Sequence, residues 1–272
     1  MKYIDANGAR IPTIGLGTWE LRGRTCARLV QQAFRLGYRH IDTAQAYDNE
    51  REVGEGFRAS GVRRHEAFIT TKVWWTHFAP RELERSVKES LVKLRMPEVD
   101  LLLLHWPNSA VPLGETMGAL CKMKTLGLTR HIGVSNFTIA LMEQAVALST
   151  EPLVTNQVEY HPYLNQAQVV AAARNHGLSV TAYSPIARGR ASADDVLQRI
   201  GKVHERTAAQ ITLRWLVQQG VVVIPRTSRV ERLNENLDIF DFELTEEEMG
   251  EIGQLARPRG RLVNTSWAPN WD

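Results

Sequence analysis

The chain has 272 residues, of which 43% are hydrophobic and 23% charged, and its formal net charge at pH 7 is +3. This composition is typical of a globular protein and excludes a disordered or fibrous chain. Because acidic and basic residues are interleaved, a basic face for nucleic acid is not indicated either. The length suits one large barrel domain better than two average domains.

The first segment, MKYIDANGARIP, has no apolar signal region, and no stretch of the chain approaches 18 apolar residues. Its Asn7-Gly8 pair predicts a tight turn and therefore a small hairpin ahead of the first barrel strand. The two cysteines, Cys26 and Cys121, lie in separate helix-like segments without a CxxC pattern, which predicts reduced thiols. We therefore expect a cytoplasmic protein that does not bind a membrane.

Eight β-type segments alternate with longer helical patterns after this hairpin. Several of them, such as DLLLLH and GVVVIP, are apolar throughout, which favours parallel strands buried on both faces. The predicted strands are 13–18, 39–43, 68–73, 99–105, 130–135, 154–159, 179–183 and 221–224. A closed (β/α)8 TIM barrel is favoured over an open doubly wound sheet, because closure leaves no edge strand. We expect residues 1–272 to form one α/β domain, with the hairpin capping the bottom of the barrel.

The helices carry start signals and charge pairs of their own. In PRELERSVKESLVKL, Pro80 suits the first helical position, and Glu84/Lys88 and Glu89/Lys93 have i,i+4 spacing. Three pairs resemble capping boxes: Asn49 with Glu52, Thr207 with Gln210, and Thr245 with Glu248.

The carboxyl-terminal part of the chain predicts a helix around residues 229–236 and another from Thr245. The tail that follows, RPRGRLVNTSWAPNWD, contains two prolines and two tryptophans. It is expected to be an ordered flap over the active-site rim, with a disordered end as the alternative.

Four reactive side chains fall at one end of the predicted barrel, where active sites of this fold lie. Asp42 ends the second strand, Lys72 the third and His105 the fourth, and Tyr47 lies in the loop after the second. Each residue has a plain structural alternative. Asp42 could cap a turn and Tyr47 could be a packing aromatic, while Lys72 could be a solvated strand end and His105 a core histidine. Jointly they favour chemistry, because a lysine and a histidine beside apolar strands must be paired when desolvated.

Together these four residues could place a proton donor next to a bound electrophile. A nearby ammonium is expected to lower the pKa of Tyr47, with Asp42 holding Lys72 in place and His105 donating to a carbonyl oxygen. Rival chemistries have weaker signals. The eight histidines are scattered without HExxH, GVSNF lacks the GxSxG elbow, and no GxGxxG follows a strand.

An ordered series of motifs resembles the aldo-keto reductase family across nearly the whole chain. It runs through GLGTW, YRHIDTAQAYDNEREVG, ITTKVW, LLLLHWP, GVSNF, NQVEYHPY, YSPIARG and VVVIPRTSRVERLNEN. Within the family the likeness is greatest to bacterial 2,5-diketo-D-gluconate reductases of the B type, which also act as methylglyoxal reductases. The resemblance places the family's catalytic tetrad on Asp42, Tyr47, Lys72 and His105, with Tyr47 as general acid.

The resemblance also implies NADPH as the cofactor. Ser135, Asn136 and Gln157 correspond to the residues that hold the nicotinamide carboxamide, and Tyr183 to the aromatic that stacks on its ring. Ser184 corresponds to a pyrophosphate contact. The remaining expected cofactor contacts are Thr18, Trp19, Arg226, Thr227, Ser228, Arg232, Glu235 and Asn236, of which the segment from Arg226 corresponds to the grip on the 2′-phosphate. The family commonly has lysine where this chain has Arg226.

A small carbonyl compound is the implied substrate, reduced to an alcohol by a monomer that needs neither a metal nor a nucleic acid. The expected substrate contacts are Trp19, Tyr47, Trp75, His105 and Trp106, with Trp267 available from the tail. Two other functions stay open. One is a nucleotide-binding sensor or regulatory subunit with little turnover, and the other is a lyase that uses Lys72 as a Schiff base.

Overall fold

The computed structural model describes all 272 residues, beginning with an antiparallel hairpin. Strands β1 (Tyr3–Ala6) and β2 (Ala9–Pro12) are joined by the turn at Asn7 and Gly8, which both have positive φ, at 43° and 85°. Such angles are what a tight hairpin turn requires, and Gly8 meets them without a steric cost. The hairpin is therefore as predicted.

Eight parallel strands follow and are hydrogen-bonded in chain order. They are β3 (Leu16–Gly17), β4 (His40–Asp42), β5 (Phe68–Val73), β6 (Val99–Leu104), β7 (Thr129–Ser135), β8 (Leu153–Glu159), β9 (Ser179–Tyr183) and β10 (Val222–Val223). The first and last strands also meet, through bridges from Ile14 to Val223 and from Gly17 to Arg226. The sheet is thus closed, and the prediction of a barrel rather than an open sheet is confirmed.

Ten helices surround the barrel. They are α1 (Gly23–Arg35), α2 (Glu50–Ser60), α3 (Pro80–Leu94), α4 (Leu113–Thr125), α5 (Ile139–Leu148), α6 (Ala167–Asn175), α7 (Asp195–Val203), α8 (Ala208–Gln218), α9 (Val230–Leu237) and α10 (Glu246–Gly253). The largest apolar cluster lies between these helices and the strands. None of the helices is long and apolar enough to span a bilayer.

A smaller apolar cluster shows which end of the barrel the hairpin covers. Ala9 and Ile11 of β2 pack with Phe68, Val154 and Val222, which lie at or next to the amino-terminal ends of their strands. The hairpin therefore closes the bottom of the barrel, and the carboxyl-terminal ends of the strands stay available for a site.

Two of the three predicted capping boxes are present. Thr207 caps α8 with Gln210, and Thr245 caps α10 with Glu248. The third prediction is wrong, because the side chain of Asn49 does not cap α2. This amide is buried and instead donates to the carbonyl oxygens of Thr18 and Leu21, at 2.8 and 3.0 Å.

One of the two predicted charge pairs of α3 is present. Lys88 lies 2.6 Å from Glu84, as its i,i+4 spacing indicates. Glu89 is instead 3.3 Å from Arg85, while the Lys93 ammonium reaches towards Glu50, at 3.9 Å. The buried carboxylate of Glu50 attracts Lys93 more strongly than the exposed carboxylate of Glu89 does, because water screens the buried charge less.

The C-terminal strap, which we define as residues 257–272, contains no helix or strand. It is nevertheless fastened to the rim of the barrel. The backbone N–H groups of Leu262 and Val263 donate to the Glu159 carboxylate, and the Asp272 carboxylate accepts from the N–H of Ile139. The expectation of an ordered flap over the rim is confirmed.

Candidate active site

A buried ion pair forms the floor of the site. The Lys72 ammonium, on β5, lies 2.5 Å from Oδ1 of Asp42, the last residue of β4, and donates to the Thr43 carbonyl oxygen at 2.8 Å. The side chains of Lys72 and Asp42 are 0% and 2% exposed. Burial lowers the pKa of Lys72, while the Asp42 carboxylate opposes that shift. The Asp42 carboxylate thus favours the ammonium form of a lysine that burial alone would drive towards the neutral amine.

Tyr47 stands beside this pair. It ends a short 3₁₀ turn, Gln45–Tyr47, whose next residue, Asp48, has a left-handed conformation with φ of 51°. Its hydroxyl oxygen lies 3.4 Å from the Lys72 ammonium. Parallel strands ending at one level thus place the ammonium below the loop that carries the phenol.

The expected lowering of the pKa of Tyr47 is wrong for this arrangement. Burial and the Asp42 carboxylate raise the pKa of Tyr47 well above its ordinary value of 10. The charge of Lys72 does not prevent this, because Asp42 compensates it at close range. Tyr47 is therefore a protonated phenol at neutral pH, in the state from which it can deliver a proton.

His105 follows β6 and faces the phenol. Its ring meets the rings of Tyr47 and Trp74 edge to face, with centroids 5.6 and 5.2 Å apart. Burial and the positive charge of Lys72 lower the pKa of His105 well below 6.5. The imidazole is therefore neutral at pH 7 and can donate one hydrogen bond without carrying a charge.

Tyr47 and His105 border one large cavity, with a volume of about 940 Å³. The other predicted site residues on its wall are Thr18, Trp19, Asp42, Trp106, Ser135, Asn136, Gln157, Tyr183, Ser184, Arg226 and Arg232. Lys72 lies beneath the floor, fully buried. Thr227, Ser228, Glu235 and Asn236 are not on the wall.

Polar side chains of β7, β8 and β9 form one wall. Gln157 donates to Oδ2 of Asp42 at 2.8 Å, so this amide is linked directly to the ion pair. The Tyr183 hydroxyl donates to Oδ1 of Asn136 at 2.9 Å, and the Asn136 amide donates to the His105 carbonyl oxygen, also at 2.9 Å. These bonds fix the orientation of the wall.

Two arginines border the cavity after β10. Arg226 donates to the carbonyl oxygen of Trp19 at 3.3 Å, and Arg232 lies in the first turn of α9. Neither guanidinium forms an ion pair with a carboxylate of the chain. Both are thus available to an anionic group of a ligand.

The sequence prediction missed some of the cavity wall. Trp74, rather than the predicted Trp75, lines the cavity, while Trp75 packs against the main apolar cluster. The strand period could have indicated Trp74, because residues two apart in a strand point to the same face and the side chain of Lys72 points inwards. Arg188 was also missed, and its guanidinium lies 4.9 Å from the ring centroid of Trp19.

Comparison with known proteins shows the family of the chain. Residues 13–257 match the model of the "Aldo/keto reductase family". The chain is 46% identical to methylglyoxal reductase DkgB of Escherichia coli O157:H7, over 96% of this chain and 99% of that protein. It is 39% identical to the glyoxal reductase of Bacillus subtilis (strain 168), over 92% and 90% of the two chains.

Solved structures give the same result. A crystal structure provisionally named 2,5-diketo-D-gluconic acid reductase B superposes with a TM-score of 0.98 at 51% identity, covering 100% of this chain and 98% of that one. An aldo-keto reductase of Bombyx mori in complex with NADP superposes with a TM-score of 0.90 at 34% identity, covering 97% and 95%. With the family model matching most of its length and close relatives matching nearly all of it, the chain belongs to the aldo/keto reductase family of oxidoreductases.

Proposed function

We propose that this protein uses NADPH to reduce small aldehydes and ketones, including methylglyoxal-like dicarbonyls and keto-sugar acids such as 2,5-diketo-D-gluconate. The observation that carries the proposal is the phenol of Tyr47, which lies on the cavity and 3.4 Å from an ammonium that is itself paired with Asp42. A protonated phenol held in this way is a general acid suited to a carbonyl oxygen.

The donor set of the cavity fits the cofactor. Ser135, Asn136 and Gln157 supply hydroxyl and amide groups for a carboxamide, and Tyr183 offers an aromatic face for a nicotinamide ring. Arg226 and Arg232, which form no ion pairs, suit a 2′-phosphate. We also retain three residues of the cavity wall as proposed cofactor contacts: Thr18, Trp19 and Ser184. Four further proposed contacts lie outside the wall: Thr227, Ser228, Glu235 and Asn236.

In the proposed mechanism Ser135, Asn136, Gln157 and Tyr183 would hold the nicotinamide, and the cofactor would supply the hydride that the carbonyl carbon accepts. Tyr47 then donates its phenolic proton to the carbonyl oxygen, on which negative charge develops. The neutral imidazole of His105 orients that oxygen by a hydrogen bond. Lys72 stabilises the phenolate that remains, and Asp42 keeps the ammonium in place through the 2.5 Å contact.

Small dicarbonyls are proposed as substrates because two relatives are named methylglyoxal reductase and glyoxal reductase. A keto-sugar acid is proposed from the name of the structural neighbour. Trp74 and Trp106 on the cavity wall would contact the apolar faces of such compounds, and Trp267 would contact only the larger substrates. We also propose that the chain works as a single-domain monomer in the cytoplasm.

Two rival functions remain testable. A Schiff-base lyase is disfavoured because Lys72 is fully buried, bound to Asp42 and Thr43, and absent from the cavity wall. Borohydride with a carbonyl substrate should therefore leave Lys72 unlabelled. A nucleotide-binding sensor would bind NADPH tightly but turn over negligibly.

The proposal is tested by following NADPH oxidation with a panel of aldehydes, dicarbonyls and keto-sugars, repeated with NADH. We expect turnover with at least one small dicarbonyl and a higher kcat/KM with NADPH than with NADH. Tight NADPH binding without turnover on the whole panel would instead favour the sensor.

A further inference from the structure

Glu159, the last residue of β8, is a fully buried carboxylate outside the proposed catalytic set. Burying a charge is costly unless hydrogen bonds or an opposite charge compensate it. No lysine or arginine lies within ion-pair distance of Glu159, and its only ionisable neighbour at that range is His161, whose Nε2 is 2.9 Å from Oε1. The rest of the compensation must come from elsewhere.

The C-terminal strap provides it. The backbone N–H of Leu262 donates to Oε1 of Glu159 at 2.6 Å, and the N–H of Val263 donates to Oε2 at 2.8 Å. The carboxylate thus binds two successive amides of a segment that has no regular structure of its own. Hydrogen bonds to an ionised acceptor are about twice as strong as neutral ones, so Glu159 is a strong fastening point for the strap.

The strap is also fastened on both sides of this point. Upstream, the Arg257 N–H donates to the Tyr163 carbonyl oxygen at 3.1 Å, and Gly260 passes so close to that oxygen that a Cβ would not fit. Downstream, Asp272 accepts from the Ile139 N–H at 3.0 Å. The residues between Leu262 and Asp272 are therefore held across the rim rather than left as a free end.

Those intervening residues contribute to the cavity. Val263, Thr265 and Trp267 lie on its wall. The ring centroids of Trp267 and Trp74 are 6.4 Å apart. The Trp74 ring in turn meets the His105 ring edge to face, with centroids 5.2 Å apart. A continuous series of ring contacts thus leads from the strap to the side chain proposed to orient the carbonyl.

We propose that Glu159 is a positioning residue that sets substrate selectivity, by holding the strap so that Trp267 forms one wall of the space above Tyr47. This inference rests on the proposed carbonyl reduction and adds the substrate property that the strap controls. The KM for carbonyl compounds with an apolar substituent should depend on Glu159, because that substituent would contact Trp267. The smallest dicarbonyls should not reach Trp267, so their KM should not depend on Glu159.

The test is Glu159→Gln, with Glu55→Gln on the exposed face of α2 as the matched control. The glutamine keeps the volume but loses the charge and turns one acceptor into a donor. We expect amide hydrogen exchange at Leu262 and Val263 to become roughly tenfold faster or more. The KM for phenylglyoxal should rise roughly tenfold with little change in kcat, while kinetics with methylglyoxal and the Kd for NADPH stay near wild type.

A second variant keeps the test decisive if Glu159→Gln folds poorly. Trp267→Ala should show the same loss of selectivity for phenylglyoxal over methylglyoxal, but with unchanged exchange at Leu262 and Val263. The double variant should lose no more selectivity than either single variant, because both act through one contact. An unchanged selectivity ratio in Trp267→Ala, or in a Glu159→Gln variant whose strap exchanges faster, would overturn the proposal, as would unchanged exchange in Glu159→Gln.

Failure of the proposed function would look different. In that case the unmodified protein would oxidise NADPH with neither dicarbonyl, while the exchange rates at Leu262 and Val263 would still report whether Glu159 fastens the strap.

Discussion

At the scale of single residues, the site depends on how one buried carboxylate divides its hydrogen bonds. Asp42 accepts from the Lys72 ammonium with one oxygen and from the Gln157 amide with the other. The first contact keeps a charge beneath Tyr47, and the second links that charge to the wall proposed for the nicotinamide. A change at either end should therefore affect both proton transfer and cofactor placement.

The pH dependence of the reduction follows from the two residues that face the substrate. The raised pKa of Tyr47 keeps the phenol protonated up to and beyond pH 10, and the lowered pKa of His105 keeps the imidazole neutral down to and below pH 6.5. Both titrations thus lie outside the neutral range. We expect kcat for reduction to be flat between about pH 7 and pH 9.

The measurement is the steady-state kcat for NADPH oxidation with a saturating carbonyl substrate across that range. As a control, enzyme incubated at each pH and returned to pH 7 should recover its full rate, which excludes unfolding. A change in kcat centred between pH 7 and pH 9 would show that one of the two pKa directions is wrong in the working enzyme.

The positions of these residues could be predicted from sequence better than their electrostatics. Asp42, Lys72 and His105 lie at the ends of predicted strands, and the carboxyl ends of parallel strands meet at one rim, so their proximity follows from topology. The pKa direction of Tyr47 depends on burial and on the net effect of a carboxylate and an ammonium within a few ångströms. No sequence pattern contains those distances.

At the scale of elements, Asn49 shows how a cap-like pattern can serve another purpose. Thr207 and Thr245 cap their helices, as their spacing indicates. Asn49 has comparable spacing but lies where the loop after β3 passes the start of α2, and its amide satisfies the carbonyl groups of Thr18 and Leu21. The tertiary contact takes precedence because those buried acceptors would otherwise be unpaired.

Asn49→Ala should therefore destabilise the protein more than Thr245→Ala. Loss of an exposed cap costs about 1 kcal/mol. Loss of the Asn49 amide leaves two carbonyl acceptors and the Thr43 hydroxyl without this partner, and should cost roughly 2–3 kcal/mol. Urea unfolding of both variants measures the difference, and equal losses of unfolding free energy would contradict the tertiary role of Asn49.

At the scale of the whole molecule, closure of the sheet brings the two ends of the ligand site together. The Gly17 to Arg226 bridge joins the first strand to the segment after the last one, and places Arg226 beside Trp19. The alternation of strand and helix predicted this barrel. The path of the strap could not be predicted, because it depends on Glu159, about a hundred residues earlier, and on rim contacts that have no periodic signal.

The arginines after β10 should determine the preference for NADPH over NADH. A ligand present at 100 times its Kd stabilises the folded state by ~2.7 kcal/mol, which thermal unfolding detects. Arg232→Met should raise the Kd for NADPH roughly tenfold or more and reduce that stabilisation. The stabilisation by NADH, which lacks the 2′-phosphate, should be unaffected.

Arg51→Met, on the exposed side of α2, is the matched control for this experiment and should leave both thermal shifts unchanged. Equal losses of NADPH and NADH stabilisation in Arg232→Met would show that this guanidinium does not recognise the 2′-phosphate.

The central claim is that Tyr47 supplies the proton for carbonyl reduction, and Tyr47→Phe tests it most directly. The phenylalanine keeps the ring that meets His105 but removes the hydroxyl near Lys72. We expect kcat for NADPH-dependent reduction of methylglyoxal to fall by roughly 10²–10⁴-fold, while the Kd for NADPH stays within about twofold of the original. A variant that binds NADPH normally and keeps a near-original kcat would contradict the account.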